Sequence, residues 1–242
     1  MIQEDILVLK EISYRENDKI LHALGRNMGK IQVISKGSKK SNSSLRNSSQ
    51  LFAYSKSSLV PSKDMYILAA GELIDNFYNL KNNIDAYYHG CYILELISYV
   101  AQENLHNVKI FDMTVSLLSH LCSLKNDFDK LTGAYELKLA AMLGYRPNFQ
   151  YCINCNSLIK TEGKFSIAEG GVFCSNCVNY GNGINVTYNE ILTMESILKS
   201  KFDSLGSIEV NKNILNIIRK FLFYHIGKDN FTSLKLIKEG KI

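Results

Sequence analysis

The sequence predicts an α+β fold: a small closed N-terminal β-barrel followed by an α-helical domain that carries an inserted four-cysteine module. Three observations predict it. Short β-rich runs fill the first 80 residues, the apolar period turns helical near residue 82, and two Cys-x-x-Cys pairs interrupt the helical part. The expected division is 1–80 for the barrel and 81–242 for the helical domain, with the cysteine insertion at about 145–185.

Residues 2–14 read as the first strand, with Ile6, Val8, Ile12 and Tyr14 on one face and Lys10 interrupting it. Ile20, Leu21 and Leu24 lead into a turn at Arg26-Asn27-Met28-Gly29. The chain then resumes with Ile31, Val33 and Ile34, the pattern of a hairpin. Runs at 51–60 and 65–70, with a further one over 72–78, bring the count to about five. Five short strands in some 80 residues suit an OB-fold.

A polar, basic and flexible loop is expected between the third and fourth strands, over 35–46. From Arg26 to Lys63 the chain carries eight Lys/Arg (Arg26, Lys30, Lys36, Lys39, Lys40, Arg46, Lys56, Lys63) and no Asp or Glu. Such a block sets up a field that favours a polyanion. The candidate nucleic-acid contacts are therefore Arg26, Lys30, Lys36, Lys39, Lys40 and Arg46. Phe52 and Tyr54 lie in the same block. Rings beside a basic groove suit single strands, although burial in the barrel is the stronger reading for these two. The competing reading of the block is a solvated face. Gly25 to Ile31 only grazes a phosphate-binding loop: three residues separate its glycines, and Ile31 stands where Ser or Thr would bind Mg²⁺.

Asn82-Asn83 offers a cap for a helix marked by Ile84, Tyr87, Tyr88, Cys91, Leu94 and Ile97. Residues 110–124 and 128–143 give two more, the second stopped by Gly144. Thr187 and Glu190 form the capping-box pattern of a helix reaching about Lys201, and 211–225 forms the last. These stripes read as core.

Between the third and fourth helices lie Cys152, Cys155, Cys174 and Cys177, with eighteen residues separating the pairs. That spacing predicts one structural Zn²⁺ held tetrahedrally by four thiolates, which leaves no open position for chemistry. Two disulfides, or mere proximity, are the competing readings. No basic-then-apolar leader follows Met1, and the apolar window 86–101 is interrupted by His89 and Glu95. The expected setting is cytoplasmic and reducing, which favours metal over disulfides. Cys91 and Cys122 read as small buried hydrophobes.

Hydrophobic residues make up 46% of the chain, enough for a sizeable core, and the net charge is only +5. No His-Glu-x-x-His, His-x-Glu or Gly-x-Ser-x-Gly motif is present. A binding protein is expected, not an enzyme.

Three stretches together resemble the bacterial recombination mediator RecO family. The first is Tyr14-Arg15-Glu16-Asn17-Asp18-Lys19-Ile20, with Gly29-Lys30-Ile31 and Lys36-Gly37-Ser38-Lys39-Lys40. The second is Leu143-Gly144-Tyr145-Arg146-Pro147 before the first cysteine pair, with Phe165-Ser166 and Gly170-Gly171-Val172-Phe173 before the second. The third is Arg219, Tyr224-His225-Ile226-Gly227 and Ser233-Leu234-Lys235. The resemblance spans essentially the whole chain. Two positions depart from the family pattern: Ser38, where a basic residue is frequent, and Asn156, where glycine is common.

The resemblance implies a DNA repair and recombination function without ATP, and a nucleoid-associated protein. It implies binding of single- and double-stranded DNA, annealing of complementary strands, association with RecR, contact with the acidic C-terminal tail of the single-strand DNA-binding protein, and thereby loading of RecA. Candidate residues for the acidic tail are Arg219, Lys220 and Lys235. Two other classes compete: a zinc-ribbon factor that binds RNA or a polymerase, and a zinc hydrolase or deaminase. The missing acid/base pair beside the cysteines argues against the second of these.

Overall fold

A computed structural model describes residues 1–103 and 105–239. Five strands close into a barrel: β1 (Ile2–Tyr14), β2 (Asp18–Gly25), β3 (Gly29–Ser35), β4 (Tyr54–Ser62) and β5 (Met65–Asp75). Their spatial order is β1-β2-β3-β5-β4, with β4 paired back to β1. Only the β3–β5 pairing is parallel. This is the OB-fold arrangement expected from the sequence. Alternation decides which side chains go inside: Ile6, Val8, Leu21, Ile31, Val33 and Leu59 fill the interior.

Two strand boundaries differ from expectation. The fourth strand starts at Tyr54, because Phe52 takes a φ of 69° and its buried ring packs against Tyr87 and Gly90. No separate strand covers 72–78; β5 runs through Gly71 to Asp75 in one ladder with β4. Gly71 is needed there, since a Cβ on it would sit 2.5 Å from the Ser48 hydroxyl.

Contacts divide the described chain into two compact units. The first joins the barrel to α1 (Ile84–Val100), α2 (Val108–Ser123) and α6 (Thr232–Glu239), so compactness does not follow a cut at residue 80. The Asn83 side chain caps α1 as expected, and Asn107 caps α2. The barrel's β2–β3 turn is closed by the strand-like segment after α1, with Gly29 bridged to Glu103. Gly29 has φ +66°, and a Cβ there would meet the Leu105 carbonyl oxygen at 2.6 Å. Helix α6 was not anticipated. Its first amides, on Thr232 and Ser233, donate to the Glu95 carboxylate of α1 at 3.0 and 2.9 Å. A cap supplied from 137 residues away leaves no local sequence signal.

The second unit, 126–230, holds α3 (Phe128–Met142), α4 (Tyr188–Lys199), α5 (Lys212–Ile226) and a four-stranded sheet inserted between α3 and α4. Its strands are β6 (Asn148–Cys152), β7 (Gly163–Ser166), β8 (Gly171–Cys174) and β9 (Ile184–Val186), ordered β6-β8-β7-β9. Thr187 and Glu190 form the expected capping box. The sheet shares its core with α5: Phe165 lies between Phe149 and Phe221, with ring centroids 5.8 and 5.6 Å away.

Candidate nucleic-acid interface and metal centre

The basic loop is better ordered than its composition suggests. The serines at its two ends turn inward, while Ser41 and Ser44 in its middle stay exposed. Ser38, Ser48 and Ser49 are buried. The Ser35 and Ser49 hydroxyls lie 2.7 Å apart, and Ser38 Oγ donates to the Ser35 carbonyl. From the β1–β2 turn, Asp18 accepts from the Gly37 amide at 2.8 Å and Asn17 from the Lys39 amide at 3.0 Å. The expectation of flexibility is therefore corrected: hydroxyls and turns satisfy the backbone that water would otherwise solvate. Ser38, one of the two departures from the family pattern, is part of this pinning.

Lys36, Lys39, Lys40 and Arg46 are left exposed, and no described side chain pairs with any of them. Arg26 and Lys30 behave differently. Arg26 forks onto the Asp112 carboxylate of α2 at 2.9 and 3.0 Å, and Lys30 Nζ donates to the Ser98 carbonyl at 3.2 Å. The six sequence candidates thus split into four open cations and two tethered ones. Of the neighbouring rings, Phe52 is buried and Tyr54 packs edge-on against Phe111.

A surface missed in the sequence lies on the outside of the barrel. Pairing registers align Ile12 with Ile20, Ile20 with Ile34, Ile34 with Ile67 and Ile67 with Val60. A row of β-branched side chains thus crosses all five strands. The register places Lys10, His22 and Gln32 in the neighbouring row. A single-sequence reading has no access to this row, because it exists only once the registers are known. Burial, then Lys10 and Lys30, hold His22 below the ordinary histidine range, so it is neutral at pH 7. An anion laid on this row relieves that repulsion. We expect oligonucleotide affinity to rise as pH falls from 7 to 5.5, and expect His22→Gln to abolish the rise; fluorescence anisotropy at fixed ionic strength reads both. The same depressed value means the unfolded chain takes up the proton first, so stability from this group is lost as pH drops below about 6.5.

The four cysteines converge as the spacing predicts. Cys152 ends β6 and Cys174 ends β8, and their sulfurs and those of Cys155 and Cys177 all lie within 4.8 Å of one another. All four are free thiols, which removes the disulfide reading. The Cys155 and Cys174 sulfurs stand 3.8 Å apart. Two corners of a tetrahedron with metal–sulfur bonds of about 2.3 Å are separated by about 3.8 Å. The Cys174 backbone amide donates to Cys152 Sγ and the Asn154 side-chain Nδ2 to Cys177 Sγ, both at 3.4 Å. The Ser157 hydroxyl leads the donors that bring Cys155 down to about 6. Cys177, despite the Asn154 amide, is pushed up to about 12 by desolvation and by its three sulfur neighbours. Thiols this crowded ionise together only around a cation, so the donor set fits a bound metal. Asn156, the other departure from the family pattern, has φ 56°, a left-handed turn that glycine enters freely and asparagine tolerates.

The tail candidates are spread over both units. Lys220 is exposed on α5 and Lys235 on α6. Arg219 is bound inside its own unit, its Nε 2.9 Å from the carboxylate of Glu136, whose side chain is 0% exposed. Arg219→Ala should therefore cost stability, about 3 kcal/mol, by leaving a buried carboxylate without its guanidinium. Urea denaturation against Arg219→Lys checks this; an unchanged midpoint in the alanine variant contradicts it.

Fold and site define an OB-barrel protein with a helical body and a four-thiol metal module. The chain belongs to the RecO family: models described as Recombination protein O N terminal and Recombination protein O C terminal match residues 1–77 and 81–235. It is similar to proteins named DNA repair protein RecO. That of Clostridium acetobutylicum is 30% identical over 239 residues, covering 96% of both chains. That of Acetivibrio thermocellus is 26% identical over 237 residues, covering 96% of this chain and 94% of the relative. That of Alkaliphilus metalliredigens is 25% identical over 244 residues, covering 99% of both.

Proposed function

We propose that this DNA repair protein is a recombination mediator that works by binding and not by catalysis. In this reading it binds single- and double-stranded DNA, anneals complementary strands and, with RecR, helps load RecA onto DNA coated with single-strand-binding protein. Zinc is the proposed metal, because four sulfurs in a closed tetrahedron suit a structural zinc site. The cytoplasm, at the nucleoid, is the proposed location.

One observation carries the reading: Lys36, Lys39, Lys40 and Arg46 stand exposed on a hydrogen-bonded loop of the barrel. A fixed array of cations releases counterions from phosphates and lowers the repulsion between two strands held in one positive field. No nucleotide fuel is required for that. The helical part is proposed to receive the acidic tail of the single-strand-binding protein, with Lys220 and Lys235, which lie in different units, as separate candidate contacts.

The test mixes complementary oligonucleotides, one coated with single-strand-binding protein. Acceleration of annealing at low salt without ATP is expected, and its loss at high salt. No acceleration at any salt refutes the proposal.

A further inference from the structure

A second ring-and-cation surface lies in the 126–230 unit. Tyr145 stacks on His225 with centroids 4.5 Å apart and planes inclined by 21°. His225 is itself fixed, since its Nε2 donates to the Ile167 carbonyl at 3.1 Å and Phe221 packs edge-on against it. Burial keeps the imidazole below its usual range and hence neutral at pH 7. The backbone under Tyr145 is fixed too: its amide bonds the Ala140 carbonyl at 2.9 Å, just after Gly144 turns the chain at φ +99°.

Tyr145 nevertheless remains 41% exposed, and among the described residues His225 is the one ring it contacts. The histidine covers one face of the ring, and no second ring lies on the other among the described residues. Tyr224, 59% exposed, packs edge-on against the same histidine. Arg146 follows Tyr145 and is exposed, and Lys220 is exposed one helical turn before Tyr224. The segments 137–161 and 210–228 carry Lys138, Arg146, Lys160, Lys212, Lys220 and Lys228 besides the paired Arg219, and their carboxylates stand only at the edges, at Glu136, Glu162, Glu209 and Asp229. Glu195, which lines the same cavity as Arg146, is held by Lys199 and Gln150.

We propose that the Tyr145–His225 stack is a platform for a base of single-stranded nucleic acid, a contact site separate from the barrel's outer face. A pre-stacked ring loses little freedom when a base lands on it, and cations beside it take the phosphates. This rests on the reading of the chain as a strand-handling protein and adds a contact that the barrel does not provide. A cation-bearing loop holds a backbone by its charge; an exposed tyrosine holds a base by its face.

The chain contains no tryptophan, so Tyr145→Trp installs a single reporter, and Tyr14→Trp does the same on the barrel in a separate variant. Titration of the full-length, metal-loaded protein with a thymidine homopolymer should quench both emissions saturably. Quenching at position 14 with silence at position 145 overturns this inference and leaves the barrel reading standing. Silence at both overturns the two together. An emission change at position 145 with an acidic peptide and none with the homopolymer also overturns it. In parallel, Tyr145→Ala should lower apparent affinity for the homopolymer about five- to hundredfold, while Tyr145→Phe, which keeps the ring, stays within twofold of the parent. An alanine variant that binds as tightly as the parent overturns the inference.

Discussion

Removing a metal held by the four cysteines should unfold the sheet of the 126–230 unit and leave the barrel folded. Structural zinc contributes on the order of 10–16 kcal/mol in small modules, which matches or exceeds the whole stability of a typical domain. The sheet has little to replace it. Strand β9 has three residues and β7 and β8 have four each. The two Cys-x-x-Cys turns are otherwise joined by long contacts to sulfur from the Cys174 amide, the Asn154 side chain and the Ser157 hydroxyl, and by the Ile153 amide on the Val172 carbonyl. Cys152 is the sharpest position to test, because its buried sulfur also accepts from the Cys174 amide. We expect Cys152→Ser, or the parent treated with a chelator, to lose its metal equivalent and become poorly soluble. Amides of β6–β9 should exchange with solvent far faster, while those of β1–β5 keep their protection. Acid should act in the same direction as the chelator, since protons compete for thiolates. A Cys152→Ser protein that still binds one equivalent per chain has a different ligand set from the one assigned.

Local signals made the metal centre and most of the helices legible in the sequence. Two Cys-x-x-Cys pairs, the Thr187–Glu190 capping box and Gly144 each act within a few residues of themselves. What stayed hidden depends on distant partners. Helix α6 takes its cap from Glu95, the apolar row of the barrel depends on four registers, and Arg26 is diverted by Asp112. The loop over 35–46 was misread for a different reason. Serine-rich composition usually means a solvated chain, but here the hydroxyls of Ser35, Ser38 and Ser49 bond one another or the backbone. Arg219 shows the same limit: its charge was visible, and the buried carboxylate it pairs with, 83 residues earlier, was not.

Reversing the charge of Lys36 and Lys39 together should weaken the proposed DNA binding without weakening the fold. Both side chains are exposed and no described group pairs with them, so Lys36→Glu with Lys39→Glu should move the melting temperature by no more than about 2 °C. Each phosphate contact contributes about 0.7 to the slope of log affinity against log salt for single strands, so losing two should flatten it by about 1.4. Affinity near 0.1 M salt should fall about ten- to hundredfold, since the new carboxylates also repel phosphate. A slope that does not change removes this loop from the interface. Preorganisation can be separated from charge with Ser49→Ala, which keeps every cation and leaves the Ser35 hydroxyl without its 2.7 Å partner. If the loop works because it is held in place, affinity drops by about two- to fivefold at an unchanged slope, the equivalent of one lost hydrogen bond. If charge alone matters, Ser49→Ala binds like the parent, and the ordered loop is then a feature of folding and not of recognition.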